Sequence, residues 1–402
     1  MIALLMVGMA INTTAQDEGF IYGKITTIDG ETYTGQLRWG KEEAFWADQF
    51  NGTKENNEAY DYLSRDDRDR LKDRNRDNGW SSFNTNWNSR RSYDVTHEFR
   101  IRFGNISKLK INRRSEVELT LRNGETIFIE DGSNDFGNEI VIMDAELGKM
   151  SFKWSRIDNI EFMATPSSLD TKLGDPLYGT VTTYAGEFTG YVQWDHDERL
   201  STDILDGESR DGNLDIEFGN IKSIERDRSG ATVITKSGRE LYMRGTNDVN
   251  SGNRGIIVNT DFGRVDIPWR EFKKVDFSET MGPALGYNDF ENPKKVSGTV
   301  LTTKGESIAG TLIYDLDEEY DFEMIQGDDD DIEYFIPLKY ISKMIPKNYD
   351  NSTIVLKSGK EITLGGSRDV SEDNDGVVVL KGSGNDAQYI FWEDIKEITF
   401  NN

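Results

Sequence analysis

The chain repeats one sequence pattern three times, and this repetition limits its possible folds more than any other feature. The copies are GKITTIDGETYTGQLRW from Gly23, GTVTTYAGEFTGYVQWD from Gly179 and GTVLTTKGESIAGTLIYD from Gly298. Each reads Gly-x-hydrophobic-x-Thr-x-x-Gly-Glu and then, two or three residues later, Gly-x-hydrophobic-x-aromatic. The shared residues are typical of strands and tight turns, so they define an architecture better than they define a chemistry.

A second motif recurs in step with the first. Its copies start at Glu116, Ala231 and Ser352. Each copy closes on an aromatic-rich strand, and we expect the tryptophans that introduce these strands to be core residues: Trp154, Trp269 and Trp392. The chain is therefore divided into three repeats, each with two similar halves. The predicted repeats span residues 19–163, 175–278 and 293–401.

Alternation of apolar and polar residues dominates the repeats. In EVELTLRNG, for example, Val117, Leu119 and Leu121 fall on one face of a strand. Short alternating runs bounded by Asn-Gly, Asp-Gly or Ser-Gly predict half-buried strands joined by tight turns. We therefore predict an all-β fold of three tandem repeats, each a pair of small bent barrels or sandwiches.

The first half of each repeat resembles the SH3-like and Sm-like small β-barrels. Residues 27–39 are similar to the first Sm motif, and IRFGNISKL at 101–109 and IEFGNIKSI at 216–224 are similar to the second. The resemblance implies a bent five-stranded barrel. It does not extend to RNA binding, because the positions of the Sm Arg-Gly pair are held by other residues: Phe103-Gly104, Phe218-Gly219 and Pro337-Leu338.

The N-terminus and the cysteine content indicate where the chain resides. Residues 1–11 form a short apolar run, and small residues suited to cleavage follow near Ala15 or Gln16. We expect residues 1–16 to be a signal peptide, although no Lys or Arg precedes the apolar run. The expected location is periplasmic, cell-surface or secreted. The run is too short to cross a bilayer, and no other segment approaches that length.

Charge restricts the partners. The formal net charge is −26, which opposes binding to the phosphate backbone of nucleic acids. Residues 54–94 interrupt the first repeat with nine basic and nine acidic residues, and their second half contains the aromatic residues Trp80, Phe83 and Trp87. Opposite charges such as Asp66 and Arg70 support an exposed helix, whereas the many Asp and Asn residues favour disorder. The sequence leaves both readings open.

A glycine-bent loop in the second half of each repeat carries an aspartate, at Asp135, Asp248 and Asp369. We expect each aspartate to cap its own loop by accepting backbone N–H groups, because a scaffold turn must recur with its scaffold. The alternative is a calcium site, since aspartate and asparagine oxygens are ligands that Ca²⁺ prefers. Its candidate ligands are Asp135, Asp248, Asn253, Asp369 and Asn374. Calcium is the only cofactor the sequence offers.

No catalytic motif is present. The two histidines, His97 and His196, occupy different positions of the repeat, and we expect both at exposed strand ends. The leading hypothesis is a non-enzymatic, exported β-repeat protein that serves as a binding or structural module for a protein or glycan. The tryptophans proposed for a binding surface are Trp46, Trp80, Trp87 and Trp194. The alternatives are a carboxylate-dependent, glycosidase-like hydrolase with a site between repeats, and a calcium-binding envelope protein.

Overall fold

A computed structural model of the chain describes residues 17–54, 58–77, 98–130, 133, 135–279, 282, 284–382 and 386–401. The fold is all-β, and its strands pair in antiparallel fashion. We refer to residues 17–163 as the first segment, 175–279 as the middle segment and 293–401 as the third segment. Among the described residues, no helix is both long and apolar enough to cross a membrane.

Thirty strands make up the described fold. Those of the first segment are β1 (Tyr22–Thr27), β2 (Thr32–Trp39), β3 (Gln49–Lys54), β4 (Glu98–Arg102), β5 (Ile106–Arg113), β6 (Glu116–Leu121), β7 (Thr126–Glu130), β8 (Glu139–Asp144), β9 (Gly148–Lys153) and β10 (Ile157–Phe162). Those of the middle segment are β11 (Tyr178–Thr183), β12 (Glu187–Trp194), β13 (Ile204–Ser209), β14 (Gly212–Glu217), β15 (Ile221–Asp227), β16 (Gly230–Thr235), β17 (Glu240–Met243), β18 (Ile256–Asn259), β19 (Arg264–Ile267) and β20 (Phe272–Phe277). Those of the third segment are β21 (Ser297–Thr302), β22 (Ser307–Tyr314), β23 (Met324–Asp329), β24 (Ile332–Pro337), β25 (Ile341–Pro346), β26 (Asn351–Leu356), β27 (Glu361–Gly365), β28 (Val377–Lys381), β29 (Asp386–Ile390) and β30 (Ile395–Phe400).

Where the structure describes the chain, helical structure consists of one α-helix and several single turns. The α-helix is α1 (Arg65–Asp77). Short 3₁₀ turns lie at Glu58–Tyr62, Phe103–Asn105, Trp154–Arg156, Phe218–Asn220, Asn247–Val249, Tyr287–Asp289, Leu338–Tyr340, Arg368–Val370 and Trp392–Asp394. Most of these turns join two strands and place one apolar side chain in the core, as the strand–turn–strand pattern of the sequence predicts.

The strands of each segment follow one order. In the first segment the order is β7-β6-β5-β10-β1-β2-β8-β9. The middle segment reads β17-β16-β15-β20-β11-β12-β18-β19. The third reads β27-β26-β25-β30-β21-β22-β28-β29. A hairpin accompanies each order, formed by β3 and β4, by β13 and β14, and by β23 and β24. Strand β3 also pairs with β7 and β23 with β27, whereas β13 and β14 form a sheet of their own.

The sheets do not close into barrels, which corrects the expectation drawn from the Sm-like and SH3-like resemblance. The physical reason lies in the pairing. Strand β1, from the first half of the repeat, pairs with β10 from the second half, and β2 pairs with β8. The two halves therefore interleave in one sheet, so neither half has a closed set of strands of its own.

The cores agree with the alternating sequence pattern. Val117, Leu119 and Leu121 are fully buried, and polar neighbours on the same strand are not. The three tryptophans expected in the core are buried as predicted, with exposures of 3% for Trp154, 8% for Trp269 and 4% for Trp392. One apolar cluster fills the first segment, and a second runs through the middle and third segments together.

Helix α1 resolves part of the ambiguity in residues 54–94. Ser64 caps it, because its Oγ accepts a hydrogen bond from the Asp67 N–H at 3.1 Å. The helix does not stand alone in solvent: Leu71 is 3% exposed and joins an apolar cluster with Ile313 of the third segment. Residues 55–57 and 78–97 lie outside the described residues.

Candidate functional site

The tryptophans proposed for a binding surface have a different role where the structure describes them. Trp46 and Trp194 are fully buried. The Trp46 indole N–H donates to Thr165 Oγ1 at 3.0 Å, and its ring packs on Tyr287 with centroids 4.6 Å apart. Both indoles are therefore unavailable to an open face. Trp80 and Trp87 lie outside the described residues.

The three loop aspartates do accept backbone hydrogen bonds, but the described residues of their own loops do not donate them. Their Oδ2 atoms accept the N–H of a residue on a hairpin strand, and the same bond occurs in all three segments. The pairs are Asp135 with Asn51 at 2.6 Å, Asp248 with Asp206 at 2.9 Å, and Asp369 with Gln326 at 2.6 Å. Each aspartate therefore fastens its loop to β3, β13 or β23, which corrects the expectation of a local cap.

The asparagines proposed as calcium ligands close the loops instead. Asn253 Oδ1 accepts the Gly255 N–H at 3.0 Å, and Asn374 Oδ1 accepts the Gly376 N–H at 2.8 Å. Because these oxygens already accept a backbone donor within the loop, the asparagines serve as the local caps that we had assigned to the aspartates.

The backbone carbonyl groups of the same aspartates each accept a hydrogen bond from an aromatic side chain. The indole N–H of Trp39 donates to the Asp135 carbonyl at 2.9 Å, and that of Trp194 donates to the Asp248 carbonyl at 2.8 Å. In the third segment the Tyr314 hydroxyl donates to the Asp369 carbonyl. The aromatic residue that ends the first sequence motif is thus bonded to the loop of the second motif.

A tight turn follows each of these aromatic residues, and we call the three turns the acidic turns: residues 39–43, 194–198 and 314–318. Each turn is closed by a hydrogen bond that the backbone N–H of the aromatic residue donates to the backbone carbonyl of a glutamate. These bonds are Trp39 to Glu43 at 2.8 Å, Trp194 to Glu198 at 2.8 Å, and Tyr314 to Glu318 at 3.0 Å. In the middle turn Asp195 and His196 have positive φ of 47° and 61°, a conformation that aspartate tolerates better than most residues.

The glutamate of each acidic turn is held away from water. Burial raises the pKa of Glu198 to about 9 and raises the pKa of Glu43 and Glu318 well above their usual value. The Oε2 atom of each of these glutamates is buried, and the described part of the chain gives it no hydrogen-bond donor. Burial also acts on the nearby loop aspartates: it raises the pKa of Asp135, Asp248 and Asp369 to about 7.

The middle turn brings three carboxylates together. One oxygen of Asp195, one of Glu198 and one of Asp248 all lie within 4.8 Å of one another. Asp195 also accepts the N–H of Arg254 at 2.5 Å and a donor from the Asn247 side-chain amide. Three carboxylate oxygens at this separation fit the donor set of a divalent cation.

Another carboxylate lies a few residues beyond each acidic turn, and it forms an ion pair with a residue of a different segment. Asp203 Oδ2 accepts two backbone N–H groups, while both of its oxygens accept the guanidinium of Arg38 from the first segment at 2.6 and 2.9 Å. Asp48 and Glu323 occupy the matching positions. Asp48 pairs with Arg199 of the middle segment, and Glu323 pairs with Lys54 of the first segment.

Two clefts border these turns. A cleft of about 650 Å³ separates the first and middle segments, and its walls include Arg38, Lys41, Asp197 and Glu198. A cavity of about 360 Å³ separates the first and third segments, and its walls include Glu318, Asp369, Arg368 and two aromatic rings, those of Phe99 and Phe335.

Sequence reasoning did not single out the turn glutamates. Glu43, Glu198 and Glu318 stand among 73 acidic residues, and their burial is not visible in composition. A signal was nevertheless present, because each follows the aromatic end of the first motif by four positions. Of the two histidines, His196 Nε2 lies 3.0 Å from Asp266 Oδ1, and His97 lies outside the described residues.

Comparison with protein-family models, with curated proteins and with solved structures gave no match. The geometry of the acidic turns and of the sheet edges therefore carries the functional argument.

Proposed function

We propose that the protein is a non-enzymatic, exported β-repeat module, built from three tandem copies, that binds a partner protein at an open sheet edge. The matching strand orders of the three segments support the tandem copies. The apolar N-terminal run at residues 1–11 supports export. The glycan alternative loses part of its support, because Trp46 and Trp194 are buried.

The observation that carries the proposal is the junction between the middle and third segments. Strand β19 is the last strand of the middle order, and its outer edge pairs with β24, with Arg264 opposite Phe335 and Val265 opposite Tyr334. The protein therefore already uses this edge to bind a strand from another unit. Backbone hydrogen bonds supply affinity in such strand addition, and alternate side chains supply specificity.

Strand β9 holds the corresponding position in the first segment. It pairs with β8, and no second strand among the described residues pairs with it. Its side chains alternate, with Lys149, Ser151 and Lys153 exposed. The lysines discourage self-association of a bare edge and leave it compatible with an acidic or neutral partner strand.

The proposal is tested by placing a photo-cross-linking amino acid at Ser151 in the chain expressed in its native host. The control carries the same residue at Lys110, which is exposed on β5 but lies between two paired strands, β6 and β10. We expect a discrete covalent adduct with a protein from Ser151 and none from Lys110. Equal labelling from both positions, or none from Ser151 in an exported protein, would refute strand docking at β9.

A carboxylate-dependent hydrolase is the second candidate, because the cavity between the first and third segments contains Glu318 and Asp369. Burial raises the pKa of both, and a glutamate with a raised pKa is suited to act as a general acid at neutral pH. Incubation with a panel of oligosaccharides tests this candidate. Hydrolysis that is lost in Glu318→Gln would support the hydrolase over the binding module.

A further inference from the structure

Strand β14 is the counterpart, in the middle segment, of the strand that joins the third segment to the middle one. In the third segment the outer hairpin strand is β24, which pairs with β23 on one edge and with β19 on the other. In the middle segment the outer hairpin strand is β14, and within the described part of the chain only β13 pairs with it. The described residues therefore leave an unpaired hairpin edge at β14 as well as the unpaired sheet edge at β9.

The junction of β19 with β24 defines a register in which β9 and β14 would pair. Strands β9 and β19 are matched by the tryptophans that follow them, so Lys149 corresponds to Arg264. Strands β14 and β24 are matched through their hairpins, because Asp215 and Phe335 each lie opposite the residue whose N–H donates to the loop aspartate. Arg264 lies opposite Phe335, so the same register places Lys149 opposite Asp215.

The exposed faces of the two edges are complementary in charge in this register. Each exposed lysine of β9 meets an exposed aspartate of the β14 hairpin, with Lys149 opposite Asp215 and Lys153 opposite Asp211. Opposite charges that face each other across an antiparallel pair stabilise it, and like charges destabilise it. The basic edge at β9 therefore favours the acidic edge at β14 over a second β9 strand.

The inner faces of the two strands also match. Met150 of β9 and Leu214 of β14 are both half-buried, and each packs against the apolar core of its own segment. They lie opposite each other in this register, so pairing removes apolar surface of both from water. The outer hairpin strand of the first segment, β4, lacks this complementarity, because Arg100 stands where Asp215 stands in β14 and would face Lys149.

The contacts between the first and middle segments keep the two edges of one molecule apart. Asp203, the residue before β13, binds Arg38 of the first segment, and Asp48 binds the buried Arg199. The β13–β14 hairpin is therefore tied at its base to the first segment, and moving it onto β9 of the same molecule would break these ion pairs at a high cost. A second molecule can reach the exposed edge of β9 without breaking either pair.

We propose that β14 of one molecule adds to β9 of a second molecule of this chain as an antiparallel strand. The proposal rests on strand docking at β9 and names its occupant. The contact joins two unlike surfaces, so it links molecules head to tail. The net charge of −26 opposes association at long range, but at 0.15 M salt charges more than about 8 Å apart are largely screened, whereas directly opposed side chains lie closer than that.

Engineered cysteines test the pairing without background, because the chain contains no cysteine. Ser151 and Asn213 lie opposite each other in the proposed register, and opposed residues of antiparallel strands are within reach of a disulfide. Purified full-length Ser151→Cys mixed with Asn213→Cys under mild oxidation should form a covalent dimer that neither variant forms alone. Lys110→Cys is the matched control for Ser151→Cys, because Lys110 is exposed on β5 between two paired strands, and it should give no dimer.

The same cysteines distinguish pairing between molecules from pairing within one. A Ser151→Cys/Asn213→Cys double variant that forms only an internally closed monomer would overturn the proposal. So would the absence of a mixed dimer, or equal dimer formation with Lys110→Cys. If the mixed dimer is absent, photo-cross-linking from Ser151 in the native host shows which idea fails. An adduct with a different protein would leave docking at β9 intact and refute only the second molecule, whereas no adduct would refute both.

A charge exchange provides a second measurement that needs no cysteine. In sedimentation experiments at 0.15 M salt, Lys149→Glu should weaken self-association about tenfold, because an attraction between facing groups becomes a repulsion. Adding Asp215→Lys to the same chain should restore it. Both side chains are exposed, so neither substitution should change the melting temperature. Unchanged self-association in Lys149→Glu, or no recovery in the double variant, would overturn the pairing.

Discussion

Replacing Asp135 by asparagine should make the protein more stable at pH 8, although it removes a charge from two good hydrogen bonds. Asp135 is fully buried, and burial raises its pKa to about 7 from the usual 3.8. The folded protein therefore binds this proton more tightly than the unfolded chain does. Stability falls as pH rises from about 4 to 7, and the loss is complete above pH 7.

The size of the effect follows from the pKa. A pKa of about 7 in place of 3.8 corresponds to about 4 kcal/mol at pH 8. Asparagine cannot ionise, and its side-chain oxygen can still accept the Asn51 N–H that Asp135 Oδ2 accepts at 2.6 Å. We expect the free energy of unfolding of Asp135→Asn, relative to wild type, to rise by up to about 4 kcal/mol between pH 4 and pH 8.

Urea denaturation followed by tryptophan fluorescence at several pH values measures this difference. Asp144→Asn is the control of opposite sign, because backbone N–H groups of Leu147 and Glu146 lower the pKa of Asp144. Wild type should lose stability relative to that variant as pH falls. Asp135 also raises the pKa of Glu43, so the measured change belongs to the Glu43–Asp135 pair. The reasoning would be refuted if the stability difference between Asp135→Asn and wild type did not change with pH, or changed in the direction expected for Asp144→Asn.

Three further substitutions probe the packing. Arg199→Met should cost about 3–5 kcal/mol in urea denaturation, because it leaves Asp48 buried without its guanidinium; a cost below about 1 kcal/mol would contradict this. Trp194→Phe should lower stability by about 2–4 kcal/mol, since it removes the indole donor to the Asp248 carbonyl and leaves a cavity, and an unchanged melting curve would show that the bond is dispensable. Gly190→Ala should cost at least about 3 kcal/mol or abolish soluble expression, because its Cβ would lie 2.1 Å from a backbone oxygen of the neighbouring strand, and normal yield and melting would place that strand farther away.

The sequence predicted the local structure well, because local structure depends on neighbours along the chain. Period-two alternation located β6, where Val117 and Leu119 are fully buried, and the aromatic closing strands placed Trp154 in the core. The pairing of strands between the two halves of a repeat could not be predicted from such local patterns. The pairing of β1 with β10 joins residues more than a hundred positions apart, and a short alternating strand does not specify its partner.

The candidate site was predicted only in part. Recurrence singled out Asp135, Asp248 and Asp369, but not the hairpin strands that donate to them. The glutamates of the acidic turns recur just as regularly, yet a glutamate after a strand is most often solvated, so the pattern did not suggest burial. What distinguishes Glu198 is the set of carboxylates around it: Asp195 and Asp197 lie in its own turn, and folding adds Asp248 from a distant loop.

The carboxylates just beyond the acidic turns explain how three similar segments adopt one arrangement. Asp48, Asp203 and Glu323 hold matching positions, and a motif shared by all segments cannot by itself decide which segment binds which. Their cationic partners do not match: Asp48 binds Arg199, and Asp203 binds Arg38. Glu323 binds Lys54, where the first segment leads into its charged insertion. A buried ion pair adds little net stability over an apolar contact of the same shape, but a mispaired one leaves a bare charge and is strongly unfavourable. The repeated carboxylates therefore provide three similar attachment points, and the unrepeated cations select a single arrangement of the segments.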